Sequence, residues 1–224
     1  GKGTVKTGVD QISRWTCPAF TPPSLRSNDL FLAVYVVGSP PSLRSAPGTL
    51  FFEDPGLNQK SETLILEWVG PARFCAVLFP RRPKQTEPRM QSLDGPRSGR
   101  VGISDWVSLS DPETRRTTGP FRHVSECVIV RERASFPALL MIAGTEFRMG
   151  PHSITGTKPI TLSLDGLRGG LINPQPETQV ELRSPEIKAG DRFAVDRSVI
   201  AASDDGILII DLVDAGEHSL RRSP

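Results

Sequence analysis

The stretch Glu62 to Arg82, ETLILEWVGPARFCAVLFPRR, sets two apolar runs on either side of Gly70-Pro71 and stops at paired arginines. In the first run Leu64, Leu66 and Trp68 share one face of an extended segment, while Thr63 and Glu67 share the other with Ile65 and Val69. That period of two marks a half-buried strand. After the break, Phe74, Ala76 and Leu78 oppose Cys75, Val77 and Phe79, so the second run is apolar on both faces and is expected at the centre of a sheet. Together the two runs predict a hairpin at the core of the fold.

Outward from this stretch the same reading recurs. Leu30 to Val37, LFLAVYVV, is again apolar on both faces and is a second candidate for a central strand. Val101 to Leu109 alternates, with Val101, Ile103, Val107 and Leu109 on one face and Gly102, Ser104 and Ser108 on the other; Trp106 interrupts the polar face. Further strands are expected at Gly48 to Glu53, Phe121 to Arg131, Pro137 to Phe147, Pro159 to Leu164, Gln179 to Arg183, Arg192 to Ile200 and Ile207 to Val213. Ser110 to Arg116, SDPETRR, offers an N-cap followed by Asp and Pro and predicts a single helical turn. With 21 Pro and 20 Gly in 224 residues, turns are many and long helices few. About ten short strands without an amphipathic helix define an all-β protein built as an antiparallel β-sandwich, jelly roll or barrel.

The expected organisation has three parts. Residues 1–29 are Pro-rich with isolated aromatics and read as an N-terminal arm; residues 30–214 form the β-sandwich domain; residues 215–224 read as a polar C-terminal tail. The hexapeptide PPSLRS occurs at Pro22 to Ser27 and at Pro40 to Ser45, as two turns rather than a repeat architecture.

Charge narrows the range of partners. The formal net charge is +2, far from that of a dedicated nucleic-acid-binding domain, yet 21 of the 27 basic residues are Arg, whose planar fork suits carboxylate and phosphate. From Pro80 to Arg100, PRRPKQTEPRMQSLDGPRSGR, the basic side chains Arg81, Arg82, Lys84, Arg89, Arg97 and Arg100 outnumber Glu87 and Asp94. This surface excursion is a candidate for contact with RNA phosphates, an acidic partner or a neighbouring subunit. Its alternative is a solvated loop, since no aromatics interleave for base stacking.

Motifs for other chemistry are not found. Gly166 to Gly170, GLRGG, matches neither phosphate-loop pattern, and His123, His152 and His218 are too scattered for a local zinc site. Cys17, Cys75 and Cys127 are odd in number and widely spaced, which reads as buried thiols in a reducing compartment. Asp204, Asp205, Asp211 and Asp214 could bind calcium between loops, or simply flank a hairpin turn. The chain is therefore expected to be non-enzymatic, without cofactor or metal, and with no apolar run of about 18 residues to enter a membrane.

The strand blocks LFLAVYVV, ETLILEWVG, RFCAVLF, FRHVSECVIV, RFAVDRSVI and ILIIDLV, with the Pro-rich arm and an N-terminal Gly1 of the kind a viral protease leaves, resemble the coat proteins of plant picorna-like viruses. The likeness is to the secovirid group, and in it to the cheravirus-type small coat protein. It spans the whole chain and is architectural. It implies an eight-stranded viral jelly roll, cut from a polyprotein, that joins companion coat proteins in an icosahedral shell around an RNA genome. The end RRSP suits the last protein of that polyprotein. The resemblance further implies residence in the virion, and in the host cytoplasm before assembly, with Lys2, Lys6 and Arg14 of the arm facing the genome. The competing reading is a non-catalytic β-sandwich binding module for carbohydrate or protein, although 3 Trp and 1 Tyr provide few aromatic platforms.

Overall fold

The structure is a computed structural model that describes the backbone of residues 4–7, 12–18, 31–37, 42–50, 59–67 and 75–81, and residues 86, 88–94 and 97–223 in full. All its ladders are antiparallel, and among the described residues there is no helix. The all-β class expected from the strand periodicities is what the chain adopts. The chain divides into two compact units, Gly1–Gly102 and Ile103–Pro224.

The first unit contains β1 (Thr4–Thr7), β2 (Ile12–Pro18), β3 (Phe31–Val37), β4 (Ser42–Leu50), β5 (Gln59–Glu67), β6 (Cys75–Arg81), β7 (Met90–Ser92) and β8 (Ser98–Val101). One sheet runs β1-β2-β3-β6, β4 pairs with β5, and β7 with β8. The two runs of the Glu62–Arg82 stretch are thus both strands, but they are not a hairpin. β5 pairs with β4, and β6 ends the sheet order beside β3, so the interior position goes to β3 and not to β6. Pro71 fixes its own φ and has no N–H, which does not suit the primed turns that close tight hairpins. Part of the expected arm is likewise strand: β2 pairs with β3 along its whole length. Within the expected basic excursion, β7 and β8 form a short ladder with Met90 and Ser98 buried.

The second unit contains β9 (Asp105–Leu109), β10 (Arg115–Thr118), β11 (Phe121–Val124), β12 (Cys127–Arg131), β13 (Ala138–Met149), β14 (His152–Asp165), β15 (Gly169–Asn173), β16 (Thr178–Arg183), β17 (Arg192–Val195), β18 (Ser198–Ala201), β19 (Ile207–Leu212) and β20 (Gly216–Arg222). Its organising element is the long hairpin β13–β14, which runs through one continuous sheet whose two halves, the tip sheet and the base sheet, carry different flanking strands. Near its tip the hairpin is flanked by β11 and β10 on one side and by β16 and β19 on the other. Near its base it is flanked by β12 and β9 on one side and by β15, β20, β17 and β18 on the other. Strands that pass from one sheet to another through bulges make the corners of two-layer β structures.

The corner is written in the sequence. The β13–β14 register shifts on both sides of Gly144, and Ala143 adopts φ 48° with its N–H donated to Thr161 Oγ1. A Cβ on Gly144 would lie 2.6 Å from both Met141 Sδ and Ser125 Cβ, so only glycine passes there. The facing stretch of β14 contains Pro159, which cannot donate to a ladder. Between the layers lies one apolar cluster, with Phe121, Phe147, Ile154, Val180, Leu182, Leu208 and Ile210 from the tip sheet and Val128, Val130, Leu139, Met141, Leu162, Leu171, Phe193 and Leu220 from the base sheet. The unit is β-sandwich-like in this sense.

Three local expectations are corrected, on Ser110 to Arg116, Val101 to Leu109 and the C-terminal tail. Ser110 to Arg116 is not a helical turn: Glu113 has φ 63°, Ser110 Oγ donates to Thr114 O, and β10 starts at Arg115. Val101 to Leu109 is broken at Gly102, leaving Ile103 82 % exposed, and Trp106 and Ser108 point inward. The GLRGG segment runs into β15, where a Cβ on Gly169 would lie 1.9 Å from Ser163 O; its glycines serve close strand packing. Residues 216–222, expected as tail, are β20, paired to β15 on one side and β17 on the other.

Candidate functional site

The outer face of the tip sheet gathers arginines from strands far apart in sequence. The register places Arg122 of β11 opposite Arg148 of β13, Arg148 opposite Ser153 of β14, and Ser153 opposite Arg183 of β16. Because residues in register across a sheet share a face, these side chains form one row running across the strands. They line a shallow cavity of about 370 Å³ together with Thr155, Glu146 and Glu181.

The pairing within the row is uneven. Glu146 is shared, with Arg115 Nη2 at 2.5 Å from Oε2 and Arg122 Nε at 3.2 Å from Oε1. That second contact is out of line, because Arg122 Nε is buried without a hydrogen-bond partner. Glu181 holds Arg183 and pushes its guanidinium further toward the charged form through a hydrogen bond and the adjacent negative charge. Arg148 has no ion pair or hydrogen bond within the described residues, and it is exposed. Four guanidinium groups thus face Glu146 and Glu181, and Asp205 adds a third negative charge near Arg183, leaving an excess of one positive charge.

The outer face of the base sheet has different chemistry. Ile129 of β12, Ile142 of β13 and Ile172 of β15 are 44 %, 37 % and 44 % exposed, beside the half-buried Leu140. One margin is a charged row in which Arg131 makes a two-bonded contact to Asp105 and Arg133 pairs with Asp165. Arg131 holds the Asp105 carboxyl below its ordinary range. The opposite margin carries His218, whose Nδ1 lies 2.8 Å from Asp196 Oδ2 and whose Nε2 lies 2.9 Å from Asn173 Oδ1. Asn173 donates its amide to the Gln175 and Asp214 carbonyls, so its oxygen is the acceptor, and both nitrogens of His218 face acceptors. Ser219 bonds to Asp196 and not to the imidazole. The cluster ties β15, β20 and the β17–β18 turn together, with no ring nitrogen left to activate the hydroxyl.

A second serine–histidine contact is internal. His123 Nε2 lies 2.8 Å from Ser108 Oγ, Ser108 Oγ lies 2.8 Å from Thr118 Oγ1, and His123 Nδ1 lies 2.7 Å from Ser125 Oγ. All four side chains are buried, so the Ser108 hydroxyl is not presented to a substrate. Burial, helped by the charge of Arg116, pushes the imidazole down to about 4. Cys127 is a half-buried free thiol pushed up by desolvation. Among the described residues no three His, Cys, Asp or Glu side chains converge as metal ligands, and Asp211 is bonded to Gln179.

The residues singled out in the sequence are dispersed by comparison. Lys2, Arg82 and Lys84 lie outside the described residues. Lys6 and Arg14 are register partners in the β1–β2 ladder, and Arg81 closes β6. Arg89 and Arg97 are exposed beside the β7–β8 ladder, and Arg100 is half-buried in β8. The row of Arg122, Arg148 and Arg183 was not visible as a basic run; its one sequence signal is the global excess of Arg over Lys.

No protein-family model matches the chain, and no curated protein matches it significantly. Fold and surface define an all-β protein of two units, one of which presents an apolar sheet face and a basic one.

Proposed function

We propose that the chain is a structural coat subunit of a viral shell. In this reading it joins companion coat proteins in an icosahedral particle around an RNA genome and performs no catalysis. The observation that carries the reading is the base-sheet face with Ile129, Ile142 and Ile172 exposed together. Thr161 and Ser163 of β14 lie between Ile172 and the other two, and exposed apolar side chains bounded by charged residues are what protein–protein contact surfaces offer. The charged margin of Asp105, Arg131, Arg133 and Asp165 would set orientation at such a contact.

The eight-stranded jelly roll is the finer part of the proposal. It draws support from ladders between strands that are not neighbours in sequence, β9 with β12, β16 with β19 and β15 with β20, since Greek-key connections return a strand beside a distant one. Short ladders such as β7–β8 and β17–β18 are then additions to that plan. Lys2, Lys6 and Arg14, and the basic residues from Arg81 to Arg100, remain the proposed contacts to genome or neighbour at the N-terminal side.

Sedimentation of the protein in material from its native source tests the reading. Recovery in a fast-sedimenting particle with other proteins and RNA is expected. Recovery solely as a free monomer would overturn it and leave a β-sandwich binding module.

A further inference from the structure

We propose that the row Arg122–Arg148–Arg183 on the tip sheet is a binding site for the phosphodiester backbone of single-stranded nucleic acid. This goes beyond the shell reading, because such a face works in a free subunit as well as in an assembled one.

Four features of the site lead there. First, among the described residues Arg148 is an exposed cation without an ion pair, and Arg122 Nε, 3.2 Å from Glu146 Oε1, makes no hydrogen bond. The exposed Arg148 guanidinium is open to an incoming oxygen anion, which adds charge-assisted contacts that the protein does not supply. Second, the donors are guanidinium groups, which grip phosphate oxygens in pairs, and the hydroxyls of Ser153 and Thr155 sit among them. Third, the shape is linear. From β11 through β13 and β14 to β16 the row crosses three strand spacings, about 14 Å in all, on an open face. A row suits a chain of anions better than one enclosed phosphate.

The fourth feature concerns the bases. Phe147 is the one aromatic residue lining the cavity, and its side chain is fully buried in the core. Among the described residues the face has no exposed ring for base stacking, so contact is to the backbone and independent of sequence. Glu146 and Glu181 keep three guanidinium groups in place while leaving the excess positive charge.

The test is fluorescence anisotropy of the full chain with a labelled mixed-sequence RNA oligomer over about 50 to 200 mM salt. Three phosphate contacts predict a slope of log K against log salt near about −2, since each contact on a single strand contributes about −0.7. R148Q should make the slope shallower by about 0.7, and R122Q/R148Q/R183Q should abolish the measurable binding. R192Q/R221Q, two exposed arginines off the row, should bind as the parent does, and the thermal unfolding of every variant should match the parent's. The proposal is overturned if the parent does not bind RNA at the lowest salt, or if the triple variant keeps the parent affinity and slope. A clear preference for a heparin oligosaccharide over RNA at equal salt would also overturn it, assigning the row to a sulfated glycan.

Discussion

His123 and Ser108 meet inside the second unit, imidazole Nε2 to hydroxyl Oγ at 2.8 Å, with neither side chain exposed to solvent. The contact explains how β9 accommodates a serine in the core beside Trp106, with Val107 buried as well. A buried hydroxyl is tolerable when its donor and acceptor capacities are met, here by His123 and Thr118.

That relationship predicts an acid sensitivity with a definite sign. The folded imidazole titrates at about 4 and the unfolded one near 6.5, so between those values the unfolded chain takes a proton that the folded chain refuses. Stability therefore falls as pH drops through that window, by a total on the order of 3 kcal/mol, and levels off below it. Urea unfolding of the parent and of H123Q at successive pH values checks this, with a flatter profile expected for the variant. The imidazole NMR signals should also show no titration of His123 at pH 6.

At the sheet corner, G144A should destabilise the second unit by about 1–3 kcal/mol, because the added methyl meets Ser125 Cβ and Met141 at 2.6 Å. Thermal unfolding followed by circular dichroism measures it. A variant as stable as the parent would mean that β13 bends elsewhere.

Truncation after residue 214 should unfold the second unit, because β20 holds β15 and β17 together and places Leu220 in the core. Proteolysis and amide hydrogen exchange report the outcome. A truncated chain with native protection in β13 and β14 would show that β20 is not needed for the fold of the hairpin.

Substituting the base-sheet face, as I129D/I172D, should leave folding unchanged and weaken assembly at least tenfold in particle yield, since charges at an apolar contact core are left unpaired. The comparison is monomer stability against particle recovery for the same preparation.

Much of the fold is legible in the residues where one face is apolar and the other is not. Leu208, Ile210 and Leu212 of β19 are buried as their alternation requires, and the doubly apolar β3 is interior to its sheet. Periodicity fails where burial is polar or where the backbone does the work. Ser108 and His123 satisfy each other, so the inward face of β9 reads as outward. β20 has Leu220 as its one buried anchor and owes its place to ladders on both sides, which leaves no apolar pattern to find. The arginine row is invisible for a further reason. Arg122, Arg148 and Arg183 come from three strands separated by long stretches of chain, and register alone brings them together.

Cryo-electron microscopy of the native particle is the most direct measurement of the shell reading. It should show this chain repeated in an icosahedral shell, with Ile129, Ile142 and Ile172 against a neighbouring subunit. A monodisperse monomer that enters no particle would contradict it.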